Sequence, residues 1–190
     1  ELANLCGRID KSTTKILEEF SNALNVSQID SIMVMPNKLR GIRGSLEKEP
    51  ISAMVALPVI DEFARQFDNS ENMKPNVLQY KLALWQFDRH NYGASYLLLV
   101  ESLISYVCVE KGLDWKEYDD REDAKDLIHR DGRFRDIKRI FHNANAIRVS
   151  IAHSTQDNKT NNNPTSEGGN NLVKKLKCYL DQAKTAMNIT

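Results

Sequence analysis

Apolar positions recur at steps of three and four along most of the chain, and strict alternation is almost absent, so the pattern predicts an all-helical fold. Leu2, Leu5, Ile9, Ile16, Phe20 and Leu24 predict a first helix over about residues 2–24, with Cys6, Thr13 and Ala23 on the same side. Residues 27–35 read as a short helix or an extended piece, and Pro36, Gly41, Gly44 and Pro50 predict a loop-rich stretch beyond. Pro58 lies inside the apolar pattern of residues 51–67. That helix is expected to kink there, or to begin near it with Pro58 in its first turn.

A polar connector spans Asp68 to Lys74, and Pro75 suits the first turn of the next helix, which carries Leu78, Leu82, Trp85 and Phe87 and ends between Asp88 and Tyr92. The helix predicted over Tyr92–Lys111 is apolar on most sides. Of the 16 residues from Ala94 to Val109, 12 are apolar or aromatic, which places it at the centre of a bundle. Gly112 supplies its stop. Phe134, Ile137, Phe141, Ala144 and Ile147 define a further amphipathic helix whose other face carries Arg135, Lys138, Arg139 and His142. Residues 154–171 have no apolar period and read as a flexible loop, and Leu172–Met187 read as the closing helix. Trp85, Phe87, Tyr92 and Tyr96 are expected in packing.

Composition changes this picture in one respect. The 190 residues hold 26 Lys+Arg and 26 Asp+Glu, which excludes a polybasic nucleic-acid binder and leaves only a local basic patch for such contact. That patch exists. Residues 110–126 hold eight acids and four bases, whereas residues 129–148 hold six bases and two acids. The three cysteines, Cys6, Cys108 and Cys178, form no CxxC pair and read as reduced structural thiols of a cytoplasmic protein. Glu101 and three serines interrupt the longest apolar stretch, so it reads as a core helix and no membrane contact is expected.

The sequence contains no GxGxxG, no GxxxxGK[ST], no HExxH and no GxSxG. No metal site and no cofactor are expected. What remains is Arg148-Val-Ser-Ile-Ala-His153, an R-x4-H spacing at the end of the basic amphipathic helix and just before the polar loop. Five residues at about 100° each leave the two side chains about 140° apart on an ideal helix. His153 is therefore expected on a bent or terminating turn.

The central helix, the amphipathic helix that delivers Arg148, the IAHS exit and the closing helix together resemble the HEPN domain (higher eukaryotes and prokaryotes nucleotide-binding). Many of its members are metal-independent ribonucleases with an R-x4-6-H signature. The run LQYKLALWQFDRHNYGASYLLLVESLISYVC, Leu78 to Cys108, is similar to the helical pair preceding that motif in CRISPR-associated CARF–HEPN ribonucleases. The resemblance covers residues 78–190 as a HEPN core and residues 1–73 as the helical part that joins it to a sensor. It implies a helical bundle of the HEPN type, a homodimer with a composite cleft, single-stranded RNA as substrate, a role in antiviral defence, and an upstream CARF domain that binds cyclic oligoadenylate. No Rossmann-like alternation is present for such a sensor. With Glu1 as its first residue, the chain is expected to be the effector portion of a longer protein. The residue after the arginine is commonly polar in this signature, whereas here it is Val149.

The implied chemistry suits the residue types. Cleaving RNA without metal needs the 2′-hydroxyl deprotonated, the leaving 5′-oxygen protonated and the anionic phosphorane stabilised. An imidazole exchanges protons near neutral pH, and a guanidinium holds two phosphate oxygens at once. His153 is assigned proton transfer or nucleophile positioning and Arg148 phosphate binding, with a 2′,3′-cyclic phosphate and a 5′-hydroxyl as products. Asn145, His142, Glu101 and Ser150 are candidates for support of the site or RNA contact; Arg135, Lys138 and Arg139 are candidates for contact with the RNA backbone. The bland readings are a solvated helix face for His142 and Asn145, and an open stripe with Leu98 and Ser105 for Glu101. Two other functions fit the same residues: a non-catalytic helical module that binds RNA or mediates assembly, and the RNase toxin of a toxin–antitoxin pair.

Overall fold

The computed structural model describes residues 10–48, 50–152 and 169–189, which are helical with no strand among them. The chain divides into two compact units, Glu1–Met73 and Lys74–Thr190.

In the first unit, helix α1 spans Lys11–Asn25. Asp10 adopts an extended conformation and caps it, accepting hydrogen bonds from the backbone N–H groups of Ser12 and Thr13 at 3.0 Å each. This corrects the expected continuous helix over residues 2–24, because Asp10 is non-helical; Leu2, Leu5, Cys6 and Ile9 lie outside the described residues. Leu17, Phe20 and Ala23 form the buried stripe of α1.

Helix α2, Ile29–Glu47, overturns the loop-rich reading. It runs through Pro36, Gly41 and Gly44. Ile32, Met35, Pro36, Leu39, Ile42 and Leu46 are all buried and recur at helical spacing, so one continuous apolar face holds the turn that the breakers weaken. The short α3, Pro50–Val55, precedes α4, Leu57–Gln66. Pro58 stands in the first turn of α4, so the helix begins there rather than kinking. Phe63 meets Phe20 edge-on at 4.7 Å and stacks on Phe67 at 4.4 Å. A single 3-10 turn, Ser70–Asn72, lies within the polar connector, and the Ser70 hydroxyl donates to the Met33 carbonyl at 2.5 Å.

The second unit is built around α5, Pro75–Asp88, and α6, Tyr92–Lys111. These two helices share the unit's most extensive contact. Ala83 and Ser95 allow a close approach, with the Ser95 hydroxyl donating to the Ala83 carbonyl at 2.7 Å. Gly112 ends α6 in the left-handed conformation at φ 70°, which glycine adopts without strain. By length and composition α6 could cross a membrane, but it is the central helix of this unit, with eleven buried residues.

Helix α7, Tyr118–Arg130, occupies the acidic stretch. Its first-turn Asp119 and Asp120 suit a helix N-terminus, and only Ala124 and Ile128 are buried, so periodicity hardly marks it. A 3-10 turn, Gly132–Phe134, leads into α8, Arg135–Ala152. Helix α9, Gly169–Ala186, includes the last three residues of the expected loop as its first turn; the rest of that loop to Gly168 lies outside the described residues. Buried tyrosines of the central pair tie α9 down. The Tyr80 hydroxyl donates to the Leu180 carbonyl at 3.1 Å and the Tyr96 hydroxyl to that of Leu172 at 2.8 Å. Desolvation pushes the Tyr80 hydroxyl up to about 12. Trp85 and Tyr96 are both buried, whereas Phe87 and Tyr92 are half-buried and meet edge-on at 5.6 Å.

Candidate functional site

Helix α8 buries Ile137, Ile140, Phe141, Ala144 and Ile147. On an ideal helix Arg148 falls between two of these, about 20° from Ile137 on one side and about 20° from Phe141 on the other. The arginine thus belongs to the inward arc of α8, not to its basic outer face. Being in the last described turn, it keeps its side chain 35% exposed while pointing toward α6.

There it meets Glu101. The Arg148 Nη1 lies 3.9 Å from one carboxylate oxygen of Glu101, whose side chain is 26% exposed. The other oxygen is held closely by Arg121 Nη2, from α7. Arg121 is the most enclosed of the three, with its side chain 19% exposed, and its Nη1 also donates to the Trp115 carbonyl at 3.0 Å. One carboxylate of the central helix therefore stands between two guanidinium groups from two other helices. Leu98 and Ser105 are buried, which corrects the open stripe assigned to Glu101 with them. Its exposed neighbour is instead Leu97, one turn earlier on α6.

Around Arg148 the surface turns apolar. Val149 is 41% exposed, Ile151 37% and Leu97 36%. Ile151 reaches toward the start of α6, where its Cγ2 lies 3.9 Å from the position a Cβ on Gly93 would take.

The other predicted positions spread along α8. His142 is exposed, Asn145 and Ser150 are half-buried, and the Asn145 side chain makes no hydrogen bond among the described residues. Arg135, Lys138 and Arg139 are exposed. The Lys138 Nζ donates to the His129 carbonyl at 2.8 Å, and Arg139 lies 3.9 Å from Asp136. His153 lies outside the described residues, one position beyond Ala152. Among the described residues no group of three or more His, Cys, Asp or Glu side chains is placed to hold a metal ion.

Sequence reasoning missed Arg121. It stands in an acidic run with no motif around it, and the only signal available was that a base surrounded by acids on a mostly polar helix has a strong choice of partners. The fold and this site define a helical unit that presents one half-exposed arginine, tethered to a central carboxylate, within a small apolar surface. No family model, no curated protein and no solved structure matches the chain.

Proposed function

We propose that the chain is a metal-independent endoribonuclease of the HEPN kind that cuts single-stranded RNA through Arg148 and His153. The observation that carries this reading is the state of Arg148: a guanidinium brought to the surface at the end of a helix whose outer face is basic, and held loosely enough to take a phosphate. In the reaction, His153 moves the proton of the 2′-hydroxyl, whose oxygen attacks phosphorus. Arg148 binds the anionic phosphorane, and the 5′-oxygen leaves with the proton that His153 took from the 2′-hydroxyl, giving a 2′,3′-cyclic phosphate and a 5′-hydroxyl and restoring the neutral imidazole. The exposed Leu97, Val149 and Ile151 beside Arg148 support a homodimer in which two such arginines share one cleft. Regulation by cyclic oligoadenylate through a CARF domain, a role in CRISPR-associated defence and a cytoplasmic location form part of the same proposal, and rest on the resemblance of residues 78–190.

The test is cutting of single-stranded RNA in EDTA by the parent, Arg148→Ala and His153→Ala. Expected is metal-independent cutting by the parent that falls by at least about 100-fold in each variant. Equal activity in all three overturns the assignment.

One observation favours a second reading, a non-catalytic helical module that binds RNA or mediates assembly. Arg148 lies on the inward arc of α8 and pairs with Glu101, as an interhelical tie would. Under that reading the parent binds RNA without cutting it.

A further inference from the structure

Two guanidinium groups face one carboxylate at the Glu101 site, and they do not share it equally. Arg121 is bonded closely to one oxygen, is the less exposed of the two, and is fixed a second time by the Trp115 carbonyl. Arg148 stands 3.9 Å from the other oxygen, with a larger part of its side chain in solvent. A carboxylate already neutralised by one closely bonded cation attracts a second cation less strongly, and two like charges on one anion repel each other. The cluster carries one positive charge in excess, and the geometry leaves that excess on Arg148.

We infer that Arg121 is a positioning residue: by engaging Glu101 from α7 it keeps the Glu101 carboxylate from closing on Arg148, so that the Arg148 guanidinium stays available to an anionic ligand. The inference rests on the proposed function for its consequence, RNA phosphate binding, but the clamp itself is a property of the three side chains. Without Arg121, Glu101 is free to rotate onto Arg148, tighten the 3.9 Å contact into a paired hydrogen bond, and cancel its charge. Removing the carboxylate as well then frees Arg148 again. A residue that merely braces the fold behaves differently: its loss shows in stability and helical content, whereas Arg148 in the folded chain stays as reactive as before.

The experiment uses the full chain with Arg121→Gln, Glu101→Gln and the double substitution, each checked for helical content by circular dichroism. The first readout is the rate at which phenylglyoxal, an arginine-selective dicarbonyl, modifies Arg148, followed on the Arg148 peptide by mass spectrometry. Labelling is expected to slow several-fold in Arg121→Gln and to return to the parent rate or above in the double variant. The second readout is RNA cutting. KM is expected to rise about tenfold in Arg121→Gln, the size of one weakened charge-assisted contact, with a smaller change in kcat, and to recover in the double variant. Unchanged Arg148 labelling in a folded Arg121→Gln chain, or a double variant labelled as slowly as that single one, overturns the inference. A parent that cuts no RNA overturns the proposed function instead, and the labelling still decides the clamp.

Discussion

Two clusters near opposite ends of α8 have the same ingredients, one carboxylate between two cations, and reach different outcomes. At the start of the helix Asp131 bonds both of its partners, Lys111 at 2.8 Å and Arg133 at 2.6 Å, and also accepts the Arg133 backbone N–H at 3.0 Å. The Arg133 guanidinium and then the Lys111 ammonium hold the Asp131 carboxyl well below the usual carboxylate range. At the other end Glu101 bonds Arg121 closely and leaves Arg148 at 3.9 Å. The first cluster is closed, because Arg133 lies two residues from Asp131 and follows it round the turn. The second is open, because its three members come from three helices whose spacing is set by packing. Equal charge counts therefore do not imply equal geometry: the closed cluster bonds both of its cations, and the open one leaves Arg148, the cation proposed for an anionic ligand, at a longer distance.

The largest effect that would sharpen this contrast is in RNA cutting. Arg148→Ala is expected to lose at least about 100-fold in cutting while costing no more than about 1 kcal/mol of stability, since its pairing is long and partly solvated. Chemical unfolding beside the RNA assay checks both halves, and a variant that unfolds without losing specific activity breaks the contrast. Next comes Asp131→Asn, expected to lower the melting midpoint by a few degrees at pH 7 and to leave RNA cutting within about twofold. Its pH dependence has a definite sign. The Asp131 carboxyl titrates lower in the folded chain than in the unfolded one, so its contribution is complete above the unfolded value, about 3.9, and drains away as pH falls through the native value. Melting the parent and the variant from pH 7 downward should show their difference shrinking only below about pH 4. A difference that is constant with pH would mean that the closed cluster acts through packing rather than charge. The smallest effect belongs to the outer face between the clusters: Lys138→Ala is expected to weaken RNA binding modestly and lower the salt slope by about one, as one lost phosphate contact does. Titrations at several salt concentrations measure it, and an unchanged slope removes Lys138 from the RNA path.

Much of the second unit was legible because its signals are local. Pro75, the apolar run of α6 and Gly112 mark ends that lie within a few residues of their cause, and the observed bounds Pro75–Asp88 and Tyr92–Lys111 follow those signals. The first unit was less legible. Pro36, Gly41 and Gly44 are breakers by intrinsic preference, yet α2 passes through them because buried Ile32, Met35, Leu39, Ile42 and Leu46 give that stretch one continuous face. Helix α7 escaped notice for the opposite reason, with two buried side chains among thirteen residues. At the candidate site Arg148 and Glu101 were both visible as residues, but the buried stripe beside Glu101 was misread, and Arg121 carried no mark at all.

By itself the sequence determined that this is an all-helical protein, where its most strongly patterned helices lie, and that a basic amphipathic helix carries Arg148, because periodicity and capping act over a few residues. Which side of α8 Arg148 shares with the core follows from counting turns. That it meets Glu101, and that Glu101 is already taken by Arg121, was decided only by the tertiary structure. Glu101 lies 20 residues from Arg121 and farther still from Arg148, and only the packing of α7 and α8 against α6 brings the three charges together.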